Sequence, residues 1–478
     1  MKKIYLSSLL AGVMLSFSAC NDFLTELPEN AYTLENAVTD YSTAKNSVNG
    51  IYGRYAVNSN LGGDLYGKLH DMAGLWNYNQ VYIQMTYTQT SGANTGAWNG
   101  LYSIINAANA AINGISALDD GKFPSVAEKE RLIAEARCWR GYANLQLLWY
   151  FGHWFDQADS PYGILYRDKV SDLANLMVGR STVGESYEYI IDDLKYAEEH
   201  LGDYTSPRYL SKQFAQVMHA KLLMNRNWSG DYAEALTLVN AVMSGSPAVF
   251  AMEKNITDLY ENAWDSNEAL FAKYLGDNAN ATYTDFTYSY ALYYNKDFTE
   301  IPTDWLNNDE RHDYIFGEAR APETWDTATK PDILTKLYHR GRVAGPDDKY
   351  TSYVFRYAEL YLMKAELLAR TNPNDIATPL AELNKMRATY TTPVMTPVTG
   401  ISTHQELMDA IFKEYVVTLF MENETPWFAS LRFEHNGSPW INTLKPDMQI
   451  SKNKYCWPIP DDEIIAHLNP IEQNPDLK

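Results

Sequence analysis

SKQFAQVMHAKLLMN (residues 211–225), NWSGD (227–231) and YAEALTLVNAVM (232–243) decide the fold. Ala215, Met218 and Leu222 recur at three- and four-residue steps, and so do Tyr232, Ala235, Val239 and Val242. Each set marks one face of a helix, and the small polar run between them is a turn. Two helices of this length with small residues on the facing seam predict a tetratricopeptide-like hairpin. A second hairpin is predicted over 353–370 and 376–390, where Phe355, Ala358, Leu362, Ala365 and Ala369 form the seam. Helical periodicity also runs from near Thr33 to Val57 and over Trp98–Ile115, Ala127–Phe151 and Val183–Leu201. Within the third of these, Leu132, Ala136, Trp139, Ala143 and Leu147 share a core face, so Trp139, Trp149 and Trp154 are expected to pack rather than to bind.

Two stretches carry no sustained helical period. Residues 61–96 are rich in Gly, Asn, Gln, Thr and aromatics and predict irregular, exposed structure. Residues 250–350 form a long aromatic insertion in which Phe286, Tyr288 and Tyr290 alternate as in a short strand. No linker separates two cores. The expected architecture is therefore mostly α: tetratricopeptide-like hairpins as a scaffold, aromatic-rich loop insertions, and a few short strands. It forms one domain over residues 33–478, with the insertion at about 250–350.

The first residues are an address. Lys2 and Lys3 precede an apolar run, Ile4 to Ser18, which ends in Ser18-Ala19-Cys20. At 1.5 Å per residue the run reaches about 22 Å, too short for a bilayer, so residues 1–19 are expected to be a signal peptide. The sequence holds Cys20, Cys138 and Cys456, an odd number for an exported chain. Lipidation of Cys20 leaves an even pair, with 20–32 as an extended tether; ordinary cleavage near Ala19 is the alternative. Whether Cys138 and Cys456 bridge stays open, with two buried thiols expected. A net charge of −21 works against nucleic acid and polyanionic ligands.

Motifs for phosphate cradles, serine nucleophiles and zinc are missing, and the His residues lack ligand spacing. No cofactor and no metal are expected. The run Asn307-Asn308-Asp309-Glu310-Arg311 has oxygen ligands but not the spacing of a calcium loop, so a capped turn is expected there. Paired carboxylates for glycoside hydrolysis stay open, because an acidic chain brings some together in almost any fold.

The 36 Tyr and 12 Trp exceed what a core needs of residues with polar tips, and they suit a surface that grips an amphipathic ligand. Sugars present an apolar C–H face and a hydroxyl rim, so flat rings beside Asn, Gln or Arg suit them. The loop from Leu75 to Gln80 has this composition, and Trp76, Asn77, Tyr78 and nearby Tyr82 are candidate contacts. Tyr290, Tyr293, Trp305 and Trp325 are candidates in and near the insertion. Packing is the competing explanation for each ring.

Several motifs, in order, resemble the SusD/RagB family of nutrient-binding outer-membrane lipoproteins of Bacteroidetes. They begin with Cys20-Asn21-Asp22-Phe23-Leu24 and Asn49-Gly50-Ile51-Tyr52, followed by WNGLYSIINAANAAINGI (98–115). Glu135-Ala136-Arg137 with Arg140, Arg180-Ser181-Thr182 with Asp193-Leu194, and Phe355 to Glu366 come next. Trp457-Pro458-Ile459-Pro460, Asn469-Pro470 and Gln473-Asn474-Pro475 close the series, and the prolines predict an extended tail draped over the helices. The chain departs from the family pattern over Glu414–Pro426 and after Pro475. The resemblance implies a non-enzymatic lipoprotein at the cell surface that captures a glycan, or in some members a peptide, for a SusC-like TonB-dependent transporter. A secreted glycosidase and a helical scaffold with only protein partners are the rival readings.

Overall fold

Short polar side chains set where the helices begin. The computed structural model describes residues 37–172, 174–274, 300–318, 332–334, 336, 351–448, 450–466 and 471–477. Its main helices are α1 (Tyr41–Val57), α2 (Gly63–Ala73), α3 (Gly92–Ala117), α4 (Val126–Phe151), α5 (Val183–His200) and α6 (Lys212–Arg226). They continue with α7 (Asp231–Gly245), α8 (Tyr357–Thr371), α9 (Ala377–Thr389), α10 (His404–Thr418) and α11 (Thr425–Arg432). Asp40, Ser125, Thr182, Ser211 and Thr403 each accept a backbone N–H of the first turn of α1, α4, α5, α6 and α10, respectively. Such caps are worth about 1 kcal/mol apiece. Asn227 ends α6 in the left-handed conformation, at φ 54°, so the predicted turn swings the chain back into α7.

From α3 to α9 each helix packs on its neighbour in the chain: α3 on α4, α4 on α5, α5 on α6, α6 on α7, then α7 on α8 and α8 on α9. This nearest-neighbour succession is the logic of a helical-repeat scaffold. The predicted hairpin 353–370 begins differently from its expectation. Residues 353–356 are a strand, β4 (Tyr353–Arg356), paired antiparallel with β1 (Ala269–Ala272). Among the described residues the other pair with strands of three or more residues is β2 (Phe316–Glu318) with β3 (Asp332–Leu334). The expected strand at 286–290 lies outside the described residues, as do the signal peptide and Cys20.

The expectation of exposed, irregular structure over 61–96 is corrected. α2 lies inside that stretch and is buried nearly all round, from Leu65 through Ala73. Leu65, Leu69 and Met72 do recur at helical steps, but over only eleven residues, and Lys68, His70 and Asp71 are buried with them, so the stretch does not read as a sustained amphipathic run.

Motif residues far apart in sequence meet inside the scaffold. The Arg140 guanidinium donates to both Asp193 oxygens at 2.8 Å and to Asn109 Oδ1 at 2.9 Å, while the Asn109 amide donates to the carbonyls of Arg167 and Lys169. One buried polar cluster thus locks α3, α4 and α5. The described parts of the closing tail lie over the helices as expected, with Trp457 to Pro460, Gln473 and Asn474 buried. Trp457 N–H donates to Tyr150 O, Gln473 holds both backbone groups of Ile459, and Asn474 Nδ2 donates to Phe151 O. Trp139, Trp149 and Trp154 are all core, and Cys138 and Cys456 are free, buried thiols. Among the described residues no helix is long and apolar enough to cross a membrane.

His70, enclosed in α2, makes stability depend on pH. Its Nδ1–H donates to Tyr66 O at 2.8 Å and its Nε2 accepts Met421 N–H at 2.9 Å, so the neutral ring fits and burial lowers its pKa to about 4. The unfolded chain takes up a proton at this residue below about pH 6.5, which the native form refuses until about 4. Stability is therefore expected to fall by about 1.4 kcal/mol per pH unit between those values on account of this one group. Urea unfolding of wild type and His70→Gln across that window checks this, and equal slopes contradict it.

Candidate ligand-binding cleft

The loop predicted to bind is built rigidly. Gly74 ends α2 at φ 73°, and a Cβ there would approach Lys445 Cγ to 2.8 Å. The Asp71 carboxylate accepts the N–H groups of Tyr78 at 2.9 Å and Asn79 at 3.0 Å, and Asn79 caps the turn Gln80–Ile83. The Lys445 ammonium donates to Met72 O at 3.0 Å and also to Ile83 O, and burial lowers its pKa to about 8.

Pinned at both ends, this loop turns its rings inward. Trp76 is 2% exposed, edge-on to Phe420 at 5.9 Å. Tyr82 is 3% exposed, its hydroxyl donates to Asn94 Oδ1 at 2.7 Å, and its ring meets Tyr87 and Trp457. The expectation that these two rings form an exposed platform is therefore corrected. Apolar burial of so large a ring outweighs anything it gains in solvent. Asn77 and Tyr78 are half-buried in the same loop. Trp305 is half-buried elsewhere, on the helix Glu300–Asn307, edge-on to Phe412 at 6.0 Å and Trp440 at 5.5 Å. Tyr290, Tyr293 and Trp325 lie outside the described residues. In the Asn307–Arg311 turn, Asp309 gives its carboxylate to Arg311, at 2.6 Å from Nε. No group of His, Cys, Asp and Glu among the described residues is arranged to hold a metal ion.

An open cleft lies elsewhere. On α1, Asn49, Tyr52, Gly53 and Ala56 are spaced three and four residues apart and share a face. Opposite stand Arg208 and Tyr209, from the segment entering α6, and Phe271, Ala272 and Tyr274 at the end of β1. Together they line a cleft of about 310 Å³. Tyr209 is 53% exposed, and its ring meets the edge of Tyr52 at 5.7 Å. Tyr52 is fixed from behind: its hydroxyl donates to Glu135 and accepts Leu210 N–H at 2.9 Å. Burial, with the Glu135 carboxylate beside it, pushes that hydroxyl well above its ordinary pKa and keeps it neutral. At the rim the Arg208 guanidinium lies 4.2 Å from the Tyr274 ring centroid and donates to Asp265.

Flat rings with an amide and a guanidinium at their edges can hold an amphipathic ligand by stacking and hydrogen bonding. Among the described residues, none of those picked from composition lines this cleft. The signal that was present is Pro207-Arg208-Tyr209: a ring held by a proline just before the Ser211 cap belongs to no helix seam.

A repeat scaffold with an aromatic, polar-rimmed cleft defines a ligand-binding class of helical protein. The chain belongs to the SusD/RagB family. The family described as "Starch-binding associating with outer membrane" matches residues 22–220, and the one described as "SusD family" matches residues 248–476. A SusD-like protein of Bacteroides ovatus is 28% identical over 222 residues, which span 46% of this chain and 39% of that protein. SusD-like protein P2 of Formosa agariphila is 24% identical, with 97% of this chain and 98% of that one covered. A SusD superfamily structure from Bacteroides thetaiotaomicron superposes with a TM-score of 0.71 at 23% identity, covering 91% of this chain and all of that one. A solved laminarin-binding SusD-like protein matches at a TM-score of 0.67 and 18% identity, over 92% of this chain and all of that one. At such identities these structures speak for the fold.

Proposed function

We propose that the protein is a glycan-binding lipoprotein of the cell surface, anchored through Cys20, that captures an oligosaccharide and delivers it unaltered to a SusC-like TonB-dependent transporter. The observation that carries the reading is the cleft between α1 and β1, where Tyr52, Tyr209 and Tyr274 offer rings and Asn49 and Arg208 offer polar edges. The family's description as starch-binding and the laminarin-binding structural neighbour support a sugar as the ligand. Asn77, Tyr78 and Trp305, which keep part of their surface, are proposed as contacts for a ligand that reaches beyond the cleft.

Tyr209→Ala tests this reading. Loss of one stacking ring is expected to weaken glycan binding about five- to tenfold, measured by calorimetric titration. The melting temperature stays near that of the wild type, because the ring is more than half exposed. Unchanged affinity, or release of shortened glycan by the wild-type protein, contradicts it.

A further inference from the structure

The cleft has a second lobe. A cavity of about 450 Å³ lies on its far side, lined by Lys45, Arg131, Glu135, Asp203 and Thr205 among others. Asn49 and Tyr209 line both cavities, so the exposed Tyr209 ring stands as a partition along one groove on α1. The first lobe alone is at the lower bound of about 300 Å³ for a small-ligand pocket, and the two together suit a longer ligand.

The lobes differ in chemistry. The first is walled by rings and by Ala56 and Ala272. In the second, Lys45 and Arg131 stand against Glu135 and Asp203, and Arg131 already donates to Glu128 and Glu135 at 2.7–2.9 Å. The charges of this lobe balance, and the whole chain carries −21, so nothing there attracts an anion. What it offers is a rim of donors and acceptors suited to hydroxyl groups.

We propose that this groove selects a neutral, linear oligosaccharide that straddles Tyr209, with one sugar in the ring-walled lobe and the next in the charged-rim lobe. The proposal rests on the glycan-binding reading above and adds chain length and charge as what the site discriminates. Two variants block the second lobe alone. Gly202 lines it, and a Cβ built there meets nothing within 4 Å, so Gly202→Phe enters open space; Thr205, exposed, allows Thr205→Trp.

The test titrates the mature protein with neutral gluco-, xylo- and manno-oligosaccharides from monosaccharide to hexasaccharide, with oligogalacturonides and short peptides alongside. In the best neutral series, affinity is expected to rise about tenfold when the chain first fills both lobes and then to level off. Each blocking variant returns long chains to the affinity of short ones and leaves the short ones unchanged. Wild-type length dependence in both blocking variants overturns the second lobe while the cleft reading stands. Tighter binding of oligogalacturonide or peptide in the groove overturns the ligand chemistry. Tyr209→Ala without effect on any length removes the cleft reading itself.

Discussion

Trp76→Ala is expected to lower stability by about 3–5 kcal/mol, the cost of emptying a buried site of an indole. Trp76 is 2% exposed, and it sits where the loop after α2 is tied down by Asp71 and Lys445. Removing the ring leaves a void against Phe420 that a loop fixed at both ends cannot collapse to fill. Urea unfolding reads the loss directly, and Trp76→Phe should recover much of it by restoring contact with Phe420. A variant that melts like the wild type yet loses ligand would show that the ring is a binding platform after all.

Arg356→Met is expected to cost a comparable 3–5 kcal/mol, for an electrostatic reason. Arg356 ends β4 and is fully enclosed. Its guanidinium donates to Glu422 at 2.6 Å, to Glu268 at 2.5 Å and to Thr418 O at 2.7 Å, while Lys336 donates to the other Glu422 oxygen at 3.0 Å. Burial alone would raise the Glu422 carboxyl, but the Arg356 and Lys336 charges outweigh it and hold its pKa below the ordinary value. Without Arg356, Glu422 keeps the Lys336 ammonium, whereas Glu268 keeps, among the described residues, the Glu253 N–H and no cation. Arg356→Met/Glu268→Gln, which removes the stranded charge, should therefore be more stable than the single variant by at least about 1 kcal/mol. Equal stability of the two would place the cost in packing instead.

These two sites mark what local sequence conveys and what it does not. Seam residues Ala235, Val239 and Val242 announce α7 because a helix with one wet face writes its period into the chain, while α6, buried nearly all round, is marked by its cap at Ser211 and its turn at Asn227. The family-like motifs were also legible, and they meet in space: Asn109, Arg140 and Asp193 form one cluster. Glu359 is another such motif residue, and it accepts from Asn423 and Thr425 within the 414–426 stretch that departs from the family pattern. By contrast, α2 repeats Leu65, Leu69 and Met72 over only eleven residues, and its Lys68, His70 and Asp71 are buried as well. The loop after it reads as a sugar platform because Trp, Asn, Tyr and Gln are equally the residues of a tightly bonded buried turn. Trp76 packs on Phe420, and Lys445 reaches Met72 from 373 residues away; such contacts leave no trace in a local window. Tyr209 went unnoticed for the opposite reason: a single ring in a short connection has no pattern, and only the fold brings α1 and Tyr274 to its sides.

A capture protein holds a glycan and lets it go unchanged. Incubation of the purified mature protein with a panel of neutral oligosaccharides, followed by titration and by mass analysis of what is recovered, tests it most directly. Saturable binding of at least one glycan is expected, weakened by Tyr209→Ala, with every chain recovered at its original length. Shortened chains, or no binding across the panel, would contradict it.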